Sequence, residues 1–384
     1  MILAGGRGER LKPLTNVIPK ALAPVNGIPI IRQQIENLVY LGIKEVIILT
    51  GYKASMIEDY VARGEFTNSL KINCISTPVE FSTAQRLLEA EDQIGEEFLL
   101  MYCDNLVGDF KQIKKVLDSP SPITFLVEKR DIGNVGLIPK IKYSILRSKD
   151  TPFVELGYVH IRYDNFYEIL RQSRNLPESF QIISSEHSCS AVVTDSSLIS
   201  ISNMGRFNEL RSKRRTILID RDGIINEKMP HRMYLTRFED YKLLSRNLEV
   251  LSRSYSKNTD FVIITNQPGI STGDLSLDFL DKLHSVMIVQ LLLLNISIIG
   301  LYVCVHHWDE KCDCRKPRPG MLKSAILDYD LDPNSICYIG DEEKDLIAAE
   351  AAGILGIQIS NKLSRNNFAK LEDALQVIEG QCGV

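Results

Sequence analysis

Two aspartates one residue apart, Asp220 and Asp222, close the stretch 215–223 (Arg-Thr-Ile-Leu-Ile-Asp-Arg-Asp-Gly). Paired carboxylates followed by a turn-making glycine suit a divalent cation and a phosphoryl group. On this stretch alone an ordinary Asx turn is an equal reading. Further polar residues follow at similar places. Thr265-Asn266-Gln267 offers a hydroxyl and two amides, which can bond phosphoryl oxygens without adding charge. Lys316, within Arg315-Lys316-Pro317-Arg318-Pro319-Gly320-Met321, offers a cation to offset phosphate and carboxylate charge. Asp341 and Asp345 bring two more carboxylates. Asn226, His231 and Arg232 stand in a polar stretch after the first acids.

A second cluster has metal-ligand spacing. Cys304, His306, Cys312 and Cys314 form Cys-x-His-x5-Cys-x-Cys. Four soft or borderline ligands suit tetrahedral zinc, and with no position left open the ion would be structural. Three unligated thiols in one loop is the poorer reading. His307 is adjacent, but the spacing selects His306.

A third feature lies at the start. Gly5, Gly6 and Gly8 follow Ile2-Leu3, with Arg7 and Arg10 beside them. Backbone N–H groups of such a loop can face a phosphate chain. A glycine loop alone is a weak signal.

The elements that must position these groups follow from apolar patterning. Thr216–Ile219, Phe261–Ile264 and Ser335–Ile339 read as short buried strands that end at the acids, at Thr265 and at Asp341. In the first half, strands are expected at 45–50, 72–75 and 98–104, the last ending on Asp104. Helices are expected at 31–41, 53–62 and 246–254. An apolar 348–352 helix face closed by Gly353 ends the set. Strand and helix alternate, which predicts doubly wound, mainly parallel sheets. Val286 to Val305 is almost wholly apolar but holds Gln290, Asn295, Ser297 and Gly300. A buried helix followed by a buried strand fits it better than a membrane span.

Bulk properties bound the rest. The chain has 384 residues, enough for two or three domains. Net charge is −4, so no global basic field attracts nucleic acid. The basic run 211–215 is short, lacks aromatics and reads as a solvated linker between domains at 1–210 and 216–384. Eight cysteines, mostly scattered, do not form a secreted scaffold. No signal segment is seen, and a reducing, cytoplasmic location is expected. Oligomeric state is not readable.

Two resemblances now carry weight. The glycine loop, Pro13-Leu14-Thr15, Pro19-Lys20-Ala21-Leu22-Ala23-Pro24-Val25 and Gly27-Ile28-Pro29-Ile30 together resemble the signature of sugar-phosphate nucleotidyltransferases. The resemblance implies that Gly5, Gly6, Gly8, Arg10 and Lys20 hold a nucleoside triphosphate and that Asp104 holds a metal. It departs in two places. Ser82-Thr83-Ala84-Gln85 stands where a glycine-rich loop is usual, and Asn203-Met204-Gly205-Arg206 where a second metal aspartate is usual. The first strand keeps only three residues, which points to a shortened start. Residues 1–210 are therefore either a transferase or a binding or docking domain that kept the fold.

Asp-x-Asp-Gly, Thr-Asn, Lys-Pro and Gly-Asp-x3-Asp, in this order and without a large cap insertion, resemble the haloacid dehalogenase superfamily of phosphatases. The Asn-Gln-Pro-Gly-Ile stretch, the cysteine loop and Arg-Lys-Pro-x-Pro-Gly-Met resemble its D-glycero-D-manno-heptose 1,7-bisphosphate and histidinol-phosphate phosphatases. The resemblance implies that Asp220 is the nucleophile and Asp222 the general acid and base. It implies magnesium held by Asp220, Asp222, Asp341 and Asp345, with Thr265, Asn266 and Lys316 on phosphate. Arg315 and Arg318 are expected on the remainder of a sugar-phosphate substrate. Fusion to a transferase-like domain favours the heptose, since removing its 7-phosphate leaves a sugar 1-phosphate. Histidinol phosphate is the alternative.

Overall fold

The computed structural model describes the chain except for residues 67–69, 96, 130–135, 142, 144–152, 196–197, 231–232, 254–257, 360–366, 369 and 382–384. His231 and Arg232 therefore lie outside the described residues. The chain divides into two compact units. One holds Met1–Leu11, Pro19–Leu22 and Ile30–Met204; the other holds Lys12–Ile18, Ala23–Pro29 and Gly205–Val384.

The first unit is built on an eight-stranded sheet. Its strands are β1 (Ile2–Leu3), β2 (Glu45–Thr50), β3 (Lys71–Ser76), β4 (Glu97–Tyr102), β5 (Ile123–Lys129), β6 (Gly136–Ile141), β7 (Phe153–Arg162) and β8 (Cys189–Thr194). They lie in the order β3-β2-β1-β4-β7-β5-β8-β6. β3, β2, β1 and β4 are parallel to their neighbours, whereas β7 runs antiparallel between β4 and β5. The sheet is thus mixed rather than uniformly parallel. Helices Ile30–Tyr40 and Ala54–Arg63 sit one residue from their expected bounds. Strand order reverses at β1, whose neighbours β2 and β4 both come later in the chain. That is where open parallel sheets leave a crevice beyond their carboxyl ends.

The second unit has a six-stranded sheet of β9 (Arg215–Ile219), β10 (Thr259–Asn266), β11 (Ile298–Cys304), β12 (Cys337–Gly340), β13 (Leu355–Ile359) and β14 (Asn367–Phe368). The order is β11-β10-β9-β12-β13-β14, with every pairing parallel. Ile217–Ile219, Phe261–Ile264 and Cys337–Ile339 are continuous buried apolar runs, because both faces of a parallel sheet are covered. Helix Leu277–Leu293 and then β11 account for the apolar stretch 286–305. Among the described residues no helix is long and apolar enough to cross a membrane.

The basic run is not a solvated linker. Arg211 and Arg214 are buried, and their Nε atoms reach the two oxygens of buried Asp260 at 2.8 and 2.9 Å. Ser297 Oγ adds a third donor at 2.6 Å. Asp260 lies near the start of β10, so the run is anchored on this sheet.

Candidate active site and candidate metal centre

β9 delivers Asp220 and Asp222 beyond the central strand of the second sheet, beside β12, where strand order reverses. The Asp220 N–H donates to the Ile339 carbonyl at 2.8 Å, which ties the loop to β12. Gly223 has φ +85°, and a Cβ there would come within 2.6 Å of Asp341 Oδ2. The turn therefore needs a residue that accepts the left-handed region and leaves room for the third carboxylate.

The loop opens on a cleft of about 190 Å³. Asp220, Asp222, Thr265, Asn266, Lys316 and Asp341 line it. Lys316 is 2 % exposed, and its Nζ reaches Asp220 Oδ2 at 3.0 Å and Asp345 Oδ1 at 2.8 Å. It also donates to the Tyr338 hydroxyl at 2.6 Å and the Ile264 carbonyl at 3.2 Å. Burial works against this ammonium, but Asp220 and Asp345 outweigh it and raise its pKa. Asp345 spends both oxygens: Oδ1 on Lys316 and Tyr338, Oδ2 on the Glu342 N–H at 3.0 Å. Expected as a metal ligand, it is also the support of Lys316.

Asn266 also holds Lys316. Its Nδ2 donates to the Lys316 carbonyl and its Oδ1 accepts from the Lys316 N–H, both at 3.1 Å. Both ends of the amide place the lysine, and Asn266 also lines the cleft. Arg315 is expected on the remainder of the substrate. It does not line the cleft, and its Nη1 donates to the His306 carbonyl at 3.3 Å. Arg318 donates likewise to the Cys312 carbonyl.

The two catalytic candidates differ electrostatically. Burial pushes Asp220 up to about 7, assisted by Asp345 and Asp222 and opposed by Lys316. Burial also acts on Asp222, yet Arg221, Asn226 and Gln267 hold it below the usual carboxylate range. Arg221 Nη2 lies 2.9 and 3.0 Å from its two oxygens. Asn226 Nδ2 donates at 2.9 Å and Gln267 Nε2 at 2.8 Å. Arg221 is itself buried, and its Nη1 donates to His284 Nε2 at 3.1 Å. Burial, then Arg221, pushes His284 down to about 3, so the imidazole is a neutral acceptor.

Arg221, His284 and Tyr338 are absent from the sequence reading. Arg221 sits between the two aspartates, which was a usable signal. His284 lies on an apolar helix and Tyr338 inside a strand, and neither position distinguishes itself from core.

Asp220, Asp341 and Asp345 offer carboxylate oxygens within 4.8 Å of one another. Asp341 Oδ1 is buried and has no hydrogen-bond partner. An orphaned buried oxygen among hard oxygen donors fits a divalent cation such as magnesium.

β11 ends on Cys304, and its loop returns Cys312 and Cys314. With His306 their ligand atoms also gather within 4.8 Å, as a group that could hold a metal ion. Cys304 Sγ lies 3.7 Å from His306 Nδ1 and 3.7 Å from Cys312 Sγ, and His306 Nδ1 lies 3.2 Å from Cys314 Sγ. His307 faces elsewhere: its Nδ1 accepts from the Asp309 N–H at 3.4 Å and its ring packs on Trp308. Burial and the neighbouring thiols push Cys314 up to about 12. The Gln267 N–H donates to the Cys304 carbonyl at 2.7 Å, which links this loop to a donor on Asp222.

In the first unit, Gly5, Gly6, Gly8, Arg10, Lys20 and Asp104 line a cleft of about 450 Å³, at the carboxyl ends of β1 and β4. Lys20 Nζ pairs with Asp104 Oδ2 at 2.6 Å. Ser202 lines the same cleft, and Asn203 does not. Ser82 and Gln85 form a capping box on helix Thr83–Leu88, so their side chains are used locally. Arg86, also missed in the sequence, is buried beneath the glycine loop. A Cβ on Gly5 would come within 2.4 Å of Arg86 Nη1, so a larger residue there would push the guanidinium aside.

The family described as Nucleotidyl transferase matches residues 1–130, and that described as HAD-hydrolase-like matches residues 313–371. Over 147 residues the chain is 33% identical to the D-glycero-beta-D-manno-heptose-1,7-bisphosphate 7-phosphatase of Pasteurella multocida, covering 37% of this chain and 78% of that protein. The crystal structure of a D,D-heptose 1,7-bisphosphate phosphatase from B. bronchiseptica, complexed with magnesium and phosphate, aligns with TM-score 0.40 and 25% identity, covering 43% of this chain and 98% of that one. A UDP-glucose pyrophosphorylase complexed with UDP-glucose aligns with TM-score 0.46 and 15% identity, covering 54% and 95%.

Proposed function

The chain belongs, through its second unit, to the family of D-glycero-D-manno-heptose-1,7-bisphosphate 7-phosphatases, and we propose that it hydrolyses the 7-phosphate of that sugar bisphosphate through an aspartyl-phosphate on Asp220. The observation that carries this reading is the convergence of Asp220, Asp222, Thr265, Lys316 and Asp341 on one cleft at a strand-order reversal.

Asp220 Oδ2, 3.0 Å from Lys316 Nζ, attacks phosphorus. Lys316 and the Thr265 hydroxyl hold phosphoryl oxygens at the buried end of the cleft. Asp222 protonates the leaving sugar oxygen, then takes a proton from the water that cleaves the aspartyl-phosphate. Its donors, Arg221, Asn226 and Gln267, favour the carboxylate form needed in that second step and oppose the protonated form needed in the first. Asp345 and Asn266 position Lys316. Magnesium would be held by Asp220 and Asp341, with Asp222 beside them, and when bound would neutralise charge on the nucleophile and the transferring group. Cys304, His306, Cys312 and Cys314 would hold a structural zinc, which would fix the loop that leads into Arg315 and Lys316.

Phosphate release measured in parallel from D-glycero-D-manno-heptose 1,7-bisphosphate, histidinol phosphate and simple sugar phosphates tests this. Preference for the bisphosphate supports it, and preference for histidinol phosphate overturns the substrate assignment.

For residues 1–210 the reading is a sugar-1-phosphate nucleotidyltransferase that uses the phosphatase product, with Lys20 and Asp104 facing the glycine loop across one cleft. Pyrophosphate release from GTP, CTP, ATP or UTP with heptose 1-phosphate tests it. No turnover with any of the four leaves a domain that binds without transferring.

A further inference from the structure

The charges of the phosphatase cleft are graded from floor to mouth. Asp220, Thr265 and Lys316 are buried at its floor. Among the described lining residues, the cations at the mouth are Lys228 and Lys344. The Lys228 side chain is 41% exposed; its Nζ donates to Asp341 Oδ2 at 2.9 Å and pairs with Glu342. Lys344 Nζ pairs with the other oxygen of Glu342 at 2.5 Å. Met229, Pro230, Met233 and Leu235 make the adjoining wall apolar. Arg315 and Arg318, the other cations nearby in sequence, are held on carbonyls of the cysteine loop.

One of the two partners of Lys228 belongs to the carboxylate set that suits a divalent cation. Once Asp341 serves a cation, Glu342 alone is left to balance two ammonium groups. Exposed pairs of this kind contribute little, so an incoming anion displaces them at small cost. A lysine on a flexible stem is a mobile point charge able to follow such an anion.

We propose that Lys228 is a specificity-determining residue that binds the phosphate which is not transferred, so that the cleft selects substrates with an anionic far end. A substrate with a cationic far end, such as an amine, meets Lys228 and Lys344 instead. The inference rests on the phosphatase reading above.

The test uses the full chain. In the Asp220→Asn protein, which binds but does not turn over, calorimetry reads the Kd for D-glycero-D-manno-heptose 1,7-bisphosphate. Adding Lys228→Ala weakens it about tenfold or more, the scale of one lost charge-assisted hydrogen bond. Lys228→Arg keeps most of the affinity, and Arg315→Ala changes it less than Lys228→Ala does. In the otherwise native enzyme, Lys228→Ala lowers the ratio of kcat/KM for the bisphosphate to that for a sugar monophosphate by a similar factor. An unchanged Kd and ratio in Lys228→Ala, or a loss confined to Arg315→Ala, overturns the proposal. If the wild-type enzyme releases no phosphate from the bisphosphate, the phosphatase substrate reading fails, and this inference with it. If it does and Lys228→Ala behaves as wild type, this inference alone fails.

Discussion

Asn266 and Lys316 are joined by two reciprocal hydrogen bonds of 3.1 Å between the asparagine amide and the lysine backbone. A side chain at the end of β10 thus fixes where the loop after the cysteines passes, and so where the Lys316 ammonium enters the floor. Asn266→Ala is expected to lower kcat for phosphate release about ten- to hundredfold, the range for a catalytic group misplaced by about 1 Å. Steady-state kinetics check it, and an unchanged kcat would show that the loop holds Lys316 without the amide.

Asp220→Asn abolishes magnesium-dependent phosphate release, measured as inorganic phosphate; retained turnover would refute the nucleophile assignment. The same variant reports on stability. With Asp220 pushed up to about 7, the native state keeps a proton that the unfolded chain releases near its ordinary value of 3.8. That contribution is fully present at low pH and is lost as pH rises from about 4 to about 7. In magnesium-free buffer Asp220→Asn therefore gains stability relative to wild type across that window, and denaturant midpoints at each pH read the difference. A constant difference would mean that burial does not control this carboxyl.

Arg221 holds Asp222 on one side and is held by His284 on the other. His284→Leu leaves a buried guanidinium N–H without an acceptor, at a cost of about 1–3 kcal/mol. A lowered denaturant midpoint and a reduced kcat are expected. His284→Gln, which keeps an acceptor, restores kcat more fully than it restores packing. Equal kcat in the two variants would confine His284 to the core.

Cys312→Ser removes one of four gathered ligands and is expected to lower zinc content and thermal midpoint together. Metal analysis of the purified protein decides it; full zinc occupancy in the variant would exclude this ligand set. Because the Gln267 N–H rests on the Cys304 carbonyl, reduced phosphatase activity is expected to accompany the loss of metal.

In the first unit, pyrophosphate release, where it occurs, depends on both members of the 2.6 Å pair. Asp104→Asn removes the carboxylate that faces the glycine loop, and Lys20→Ala removes its cation. Each is expected to reduce release by about a hundredfold or more, as for loss of a charged group at a reacting phosphate.

The elements that end on chemistry were the most legible in the sequence. Each is a short β-branched run that stops at a polar residue, and a fully buried parallel strand must look that way. Glu45–Thr50 and the strand before Asp220 were readable for this reason, as was the spacing of Cys304, His306, Cys312 and Cys314. The antiparallel Phe153–Arg162 was not read, because its place between two distant strands is set by long-range pairing and no local signal marks it. The hold of Asn266 on Lys316 is illegible for a similar reason: nothing local marks an amide at a strand end that meets a backbone 50 residues away. Arg211 and Arg214 read as solvated because a basic run shows its charge but not the buried acid that meets it.

That buried acid sets how the chain can be divided. Asp260 is matched by Arg211 and Arg214, which precede the strand bearing Asp220. A phosphatase fragment that begins at residue 216 keeps the whole β9 run from Thr216 but strands a carboxylate in the interior, a loss on the order of 3–5 kcal/mol when one side of a buried pair is removed. A fragment that begins before Arg211 carries its own counter-charges. The counter-charges that this second unit needs therefore begin upstream of the point where the hydrophobic pattern changes.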